Sequence, residues 1–169
     1  MLNLEAQGDP FESLVNFVKA IVNPGQNEKR AIEEAVRAGF AANFNNESSG
    51  NNNEWKPLAP KTNIDRRKRG FPTQHPILVR TGRYRASFTV PGSANSLVEE
   101  ESTGSEWTMY VGSSDNRRIL EFGGITIIND HEVYVPPRPV TILSDQAESN
   151  IASVIERVIA QIEDRTLET

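Results

Sequence analysis

The chain holds 169 residues, a length that suits one domain with a core of its own. It has no cysteine, which excludes disulfide staples and thiolate metal sites, and no apolar run approaches the roughly 20 residues a membrane helix needs. Lys and Arg number 18 against 23 Asp and Glu, a formal net charge of −5. The charge is unevenly placed. Lys61, Arg66, Arg67, Lys68, Arg69, Arg80, Arg83 and Arg85 face a single acid, Asp65, within their stretch, and the sequence beyond Arg85 is strongly acidic.

At the start, Met1 to Asp9 carries neither a basic stretch nor an apolar one, so no secretory signal is expected. Asp9-Pro10 predicts a helix start, Asp as N-cap and Pro at the first helical position. Phe11, Leu14, Val15, Val18, Ile21 and Val22 then recur at helical spacing until Asn23-Pro24-Gly25. A second helix is expected from near Asn27 through Phe40, antiparallel to the first.

Asn45 to Glu54 holds no apolar residue and predicts a mobile loop. Pro57 and Pro60 exclude a helix interior between Trp55 and Thr62, and Asn63 to Gly70 suits one basic helical turn. Ala86–Val90, Leu97–Glu101 and Trp107–Val111 read as strands. Arg117–Phe122 reads as a short helix closed by Gly123. Ile125–Ile128 and Glu132–Val135 read as a hairpin turning at Asn129-Asp130. Its alternation is imperfect, because Ile127 and Ile128 are adjacent, which implies a strand buried on both faces or bulged.

Last comes a helix capped by Ser144 or Asp145, with Ile151, Val154, Ile155, Val158, Ile159 and Ile162 in one apolar stripe. The fold class expected is α+β: an antiparallel-rich sheet flanked by N-terminal helices and a long C-terminal helix, with a long central loop. The domain organisation expected is a single domain over 1–169, divided into a helical part (1–44), an extended arm (45–80) and a sheet with the final helix (81–169).

Catalytic signatures are missing. Thr81-Gly82-Arg83-Tyr84-Arg85 has one glycine and no Gly-Lys-Thr, so it is not a phosphate loop; Gly82 is expected to turn the chain into a strand along which Arg83 and Arg85 alternate. His131 stands between Asp130 and Glu132, but strand neighbours point to opposite faces, and a polar hairpin tip accounts for it. A hydrolase using His131 or Glu121 is a remote reading, because no nucleophile–base order accompanies them. No enzyme activity, metal or cofactor is expected.

Other segments suit contact with a partner. Trp55, Pro57 and Leu58 form either a loop anchor on their own domain or a rigid apolar ridge for a neighbour. Arg66-Arg67-Lys68-Arg69 could neutralise phosphates as a nucleic-acid-binding module, yet aromatic interleaving is poor, and a solvated face or docking patch is favoured. Arg138, in Pro136-Pro137-Arg138-Pro139, is held on an extended path from which it can bind a carboxylate bidentately.

Taken in order, Trp55-Lys56-Pro57-Leu58, the basic run, Leu78-x-x-Thr81-Gly82 with Ser87, Phe122-Gly123-Gly124 and Val135-Pro136-Pro137-Arg138-Pro139 resemble the virion morphogenesis (tail-completion) family of tailed bacteriophages. The resemblance spans about Trp55 to Leu143. Val140 stands where the family often has Phe, and Tyr84 replaces a usual aliphatic residue. The resemblance implies a structural virion protein at the head–tail junction, a tail terminator or neck component, assembled in the host cytoplasm. It implies a homo-oligomeric ring, commonly of six subunits and sometimes twelve. The implied partners are neighbouring head-closure and tail-tube proteins, with genome DNA passing through the lumen unrecognised and no membrane involved. On that reading Trp55, Pro57, Leu58, Arg66, Arg67, Lys68, Arg69, Arg83, Arg85 and Arg138 are the expected interface residues.

Overall fold

The computed structural model describes residues 10–51, 53–115, 118–128 and 130–167. The expected caps and turns at Asp9, Arg117 and Asn129 lie outside the described residues. Helix α1 (Pro10–Ile21) and helix α2 (Gln26–Asn46) are followed by a short pair, β1 (Ser48–Ser49) and β2 (Asn53–Glu54). Next come α3 (Pro60–Lys68), α4 (Arg83–Thr89), β3 (Ser96–Ser102) and β4 (Trp107–Ser113). The chain finishes with α5 (Arg118–Phe122), β5 (Gly124–Ile128), β6 (His131–Val135) and the long α6 (Asp145–Leu167). The class is α+β, as expected, but the sheet is divided: β1–β2, β3–β4 and β5–β6 are separate antiparallel pairs.

Helix α2 is the shared spine of two cores. Its C-terminal half carries Phe40 and Phe44 into an aromatic core with Trp55, Ile77, Tyr84, Phe88 and Val140. The rings meet edge to face: Phe44 on Trp55 at 5.8 Å, Phe44 on Tyr84 at 6.1 Å and Phe40 on Phe88 at 5.4 Å. Its N-terminal half carries Ile32 into an aliphatic cluster with Val158 and Ile162 of α6, joined by Phe17, Ile21, Trp107 and Met109. Gly39 sits where α2 meets the α6 entry. A Cβ there would lie 2.9 Å from Leu143 Cδ2 and 3.3 Å from the Ala147 methyl, so the close approach requires glycine. Ser144 caps α6, its hydroxyl accepting the Ala147 N–H at 3.2 Å and its carbonyl the Glu148 N–H at 2.9 Å.

Three local expectations change. Residues 86–89 belong to helix α4 rather than a strand, with Val90 as its extended C-cap: Gly82 takes a left-handed conformation (φ 78°) before it, and Tyr84, Ser87 and Phe88 bury one helical face against α2 and β4. Arg83 and Arg85 therefore do not alternate along extended chain. Within 45–80, helix α3 is longer than one turn and starts with Pro60 at its first turn. The stretch 45–54 is not open loop throughout. The Glu47 carbonyl accepts the Trp55 N–H at 2.7 Å, and the Ile142 carbonyl accepts the Gly50 N–H at 2.8 Å. Asn43 Nδ2, buried, donates to the Val140 and Ile142 carbonyls at 2.8 Å each, so α2 holds the segment before α6 directly.

Candidate interaction surface

Three of the motifs singled out in the sequence, the segments around Trp55, Glu121 and Arg138, converge on one place inside the fold. Trp55 is 5% exposed, and its indole N–H donates to the Ser49 hydroxyl, which in turn donates to the Pro139 carbonyl. Trp55 is therefore an anchor of its own core, and the ridge it was expected to offer a neighbour is covered. Arg138 is also buried. Its Nε donates to the Lys56 carbonyl at 3.1 Å, and its Nη2 to the Lys56 and Pro57 carbonyls at 2.9 and 3.3 Å. Rather than a carboxylate, it clamps the Trp-x-Pro-Leu segment to the Pro-Pro-Arg-Pro segment.

The Leu-Glu-Phe-Gly-Gly step joins the same junction. The Leu120 carbonyl accepts the Arg138 N–H at 2.7 Å, and Glu121 Oε2 accepts the Val140 N–H at 2.7 Å. Burial raises the Glu121 carboxyl above its ordinary range, and the Val140 N–H and the Thr141 amide and hydroxyl pull it back. Among the described residues its Oε1 is buried with no hydrogen-bond partner within ordinary bonding geometry. Gly123 has φ 69°, and a Cβ there would sit 2.8 Å from Pro137 Cδ, so the glycine serves both the turn and the packing of the proline.

The basic run splits. Arg66 faces inward at 4% exposure and donates to the Pro72 and Pro76 carbonyls, which its helical position dictates: one of four consecutive residues on α3 must turn to the body. Arg67, Lys68 and Arg69 stay exposed, and Arg69 Nε pairs with Asp65 at 2.9 Å. Arg83 and Pro57 are exposed, Leu58 is half-buried, and Arg85 donates to Asn45 Oδ1 at 2.8 Å. The interface set expected from sequence thus divides into inward clamps, Trp55, Arg66 and Arg138, and outward groups, chiefly Pro57, Arg67, Lys68, Arg69 and Arg83.

The largest outward feature was not among them. In the β5–β6 pair Ile125 lies opposite Tyr134, and Ile127 opposite Glu132, on one face. That face points to solvent: Ile125 is 67% exposed, Ile127 71% and Tyr134 62%, with Phe122 at the base 79% exposed. Val133 and Val135, on the other face, turn toward the body. The adjacent Ile127-Ile128 was the signal in the sequence, because a hairpin with apolar residues on both faces needs cover on both. A second apolar concavity, of about 310 Å³, runs between α1, α6 and β4, lined by Ile21, Val22, Trp107, Ile155 and Ile159. Ile155 and Ile159, from the predicted α6 stripe, remain partly open to solvent there.

His131 and Glu132 are exposed, and among the described residues no group of three or more His, Asp or Glu is placed to hold a metal ion. No described helix is long and apolar enough to cross a membrane. No protein-family model, curated protein or solved structure matches the chain.

Proposed function

We propose that this chain is a structural, non-catalytic virion protein that assembles with copies of itself into a ring at the phage head–tail junction, around the DNA channel. The observation that carries the reading is the outward apolar face of β5–β6, with Phe122, Ile125, Ile127 and Tyr134 exposed together. Contiguous apolar surface rimmed by polar groups marks a contact surface. A second copy is the favoured occupant because the chain also carries the complementary pieces. The apolar concavity beside α6 can receive such a face, and none of its lining residues belongs to the hairpin. Exposed cations on α3 (Arg67, Lys68 and Arg69) answer exposed Glu99 and Glu101 on β3. Two dissimilar patches on one chain make a heterologous contact, which closes into a ring when the rotation per subunit divides the circle. The ordered motifs add the resemblance to the tail-completion family, and with it the head–tail position, the neighbouring head-closure and tail-tube proteins and the virion location.

Native mass spectrometry tests the reading: a discrete closed oligomer is expected, and a chain that stays monomeric at high concentration and beside its virion neighbours overturns it. The charge arm is tested by Arg67→Ser, Lys68→Ser and Arg69→Ser together, leaving the buried Arg66 in place so that folding is not confounded. Loss of the oligomer supports the ring. An unchanged oligomer with loss of tight binding to short DNA favours the nucleic-acid-binding module instead.

A further inference from the structure

The buried arginines are of two kinds. Arg37, on α2, has a carboxylate: Glu33 Oε1 accepts its Nε at 2.6 Å, and the Phe88 carbonyl and Ser96 hydroxyl take the rest of the fork at 2.8 Å each. Arg66 and Arg138 are as deeply placed and have no carboxylate partner among the described residues. There their side-chain hydrogen bonds go to main-chain carbonyls, those of Pro72 and Pro76 for Arg66 and those of Lys56 and Pro57 for Arg138. An arginine cannot shed its proton at any ordinary pH, so the cost of burying it cannot be escaped by neutralisation.

These two guanidinium groups line one cavity of about 480 Å³, together with Arg80. Burial holds the Arg138 guanidinium below its ordinary range, and the Arg66 charge adds to that. Arg66 is lowered by burial and then by Arg80, with Glu47 opposing. The three cations therefore sense one another across the cavity. Arg66 Nε and Nη2 and Arg138 Nη1 have no hydrogen-bond partner among the described residues, and none of these atoms is sealed from solvent. Arg80 is exposed and stacks over the Phe71 ring, 4.9 Å from its centroid. Leu58, Leu120 and Val133 supply apolar wall.

We propose that this cavity is a carboxylate-recognition site that takes the acidic side chain of a peptide segment with apolar neighbours. Guanidinium edges match the two oxygens of a carboxylate, and apolar wall that displaces water strengthens each charged hydrogen bond. Carbonyls already occupy part of both forks, so the free edge of Arg66, Nε with Nη2, matches the two oxygens of a carboxylate; a phosphate dianion, for which Lys56, Thr62 and Tyr134 in the lining add donors, is the competitor that the titration separates. The site stands apart from the ring reading: a monomeric protein would bind the same peptide, so the two fail separately.

The test is calorimetric titration of the full chain with the capped peptide acetyl-Leu-Val-Glu-Glu-Glu-Ser-amide. This is the chain's own 97–102 segment, in which Glu99 and Glu101 are exposed. Binding is expected, with affinity about tenfold lower when the three Glu are replaced by Gln, the scale of one charged hydrogen bond. Arg80→Gln, at an exposed position, is expected to cost a similar factor of about ten, and Arg66→Lys, which keeps the charge and loses the fork, about the same. Melting curves establish that both variants are folded. The proposal is overturned if the Gln peptide binds as well as the Glu peptide, if neither binds, or if inorganic phosphate at matched ionic strength displaces the Glu peptide.

Discussion

The β3–β4 and β5–β6 hairpins are built alike, each an in-register antiparallel pair, and they differ in what they turn outward. In β3–β4 the half-buried Trp107, Met109 and Val111 reach the two cores, while Glu99 and Glu101 face water. In β5–β6 the body takes Val133 and Val135, and water receives Ile125, Ile127 and Tyr134. Antiparallel pairs with one covered face normally alternate apolar in and polar out. The first hairpin follows that rule more closely, although Tyr110 on its outer face is 51% exposed and Trp107 lines the concavity beside α6. The second leaves its outer face uncovered by its own chain, so the two hairpins differ in how far the fold itself covers them, and the proposed assembly draws on that difference.

The strongest way to break this comparison is to charge the second hairpin. Ile125→Glu with Ile127→Glu is expected to convert the oligomer wholly to monomer in native mass spectrometry. Monomer stability should change by no more than about 0.5 kcal/mol, as for exposed positions generally. A large stability loss in a protein already monomeric would mean that the hairpin is covered by its own chain. The next contrast matches aromatic against aromatic. Trp107→Ala, which opens the aliphatic cluster, is expected to cost about 2–3 kcal/mol in denaturant unfolding, less than a fully buried aromatic because Trp107 is half-buried. Tyr134→Ala should cost less than about 0.5 kcal/mol while weakening assembly. Equal losses would erase the distinction between the hairpins.

The same division explains what the sequence could and could not disclose. Helix α6, α5 and the strands of both long hairpins were legible from apolar spacing and flanking turn residues, although the alternation of β5 is imperfect. The α4 segment was misread as a strand because Phe88, Thr89 and Val90 carry β propensity, whereas the fold uses the helical spacing of Tyr84, Ser87 and Phe88 to close the aromatic core. Trp55 and Arg138 are both buried in their own chain, Trp55 as the loop anchor that was one of its two readings and Arg138 on main-chain carbonyls in place of a carboxylate. Composition shows that an aromatic or a guanidinium needs a partner, but not whether its own chain supplies one. Arg66 was readable in principle, since four successive positions on a helix cannot all face water. The outer face of β5–β6 was half-legible in the Ile127-Ile128 pair.

The two hairpins are also anchored differently, and pH separates them. β3 is tied to α2 through the Arg37–Ser96 hydrogen bond and through the Lys29–Glu100 ion pair at 2.6 Å, in which the Lys29 hydrogen bond holds the Glu100 carboxyl below its ordinary range. The base of β5–β6 is tied through Glu121, whose carboxyl is raised by burial. The folded state therefore holds the Glu121 proton more tightly than the unfolded state does. That contribution is complete below the ordinary glutamate value of about 4.3 and is lost as pH rises through the raised value, after which it is flat. Stability measured across that window should fall with pH in the parent and fall less in Glu121→Gln, which keeps an acceptor for the Val140 N–H. Identical slopes in the two proteins would mean that the hairpin base is not held by a protonated carboxyl.

The smallest expected effect concerns the charges that face outward. Arg69 and Asp65 form an i,i+4 pair at 2.9 Å with side chains 60% and 44% exposed, so water screens most of their attraction. Arg69→Ala should cost about 0.3–0.5 kcal/mol at low salt and less as salt is added. Its neighbour Arg66, three residues earlier and buried, makes the opposite case: its removal strips the Pro72 and Pro76 carbonyls of their donor and leaves a void beneath α3. If Arg69→Ala cost more than about 1 kcal/mol in the monomer, the exposed cations of α3 would be structural, like Arg66. They would then resemble the inner face of β3–β4 rather than its outer glutamates, and the charge arm of the assembly surface would have to be sought on other residues.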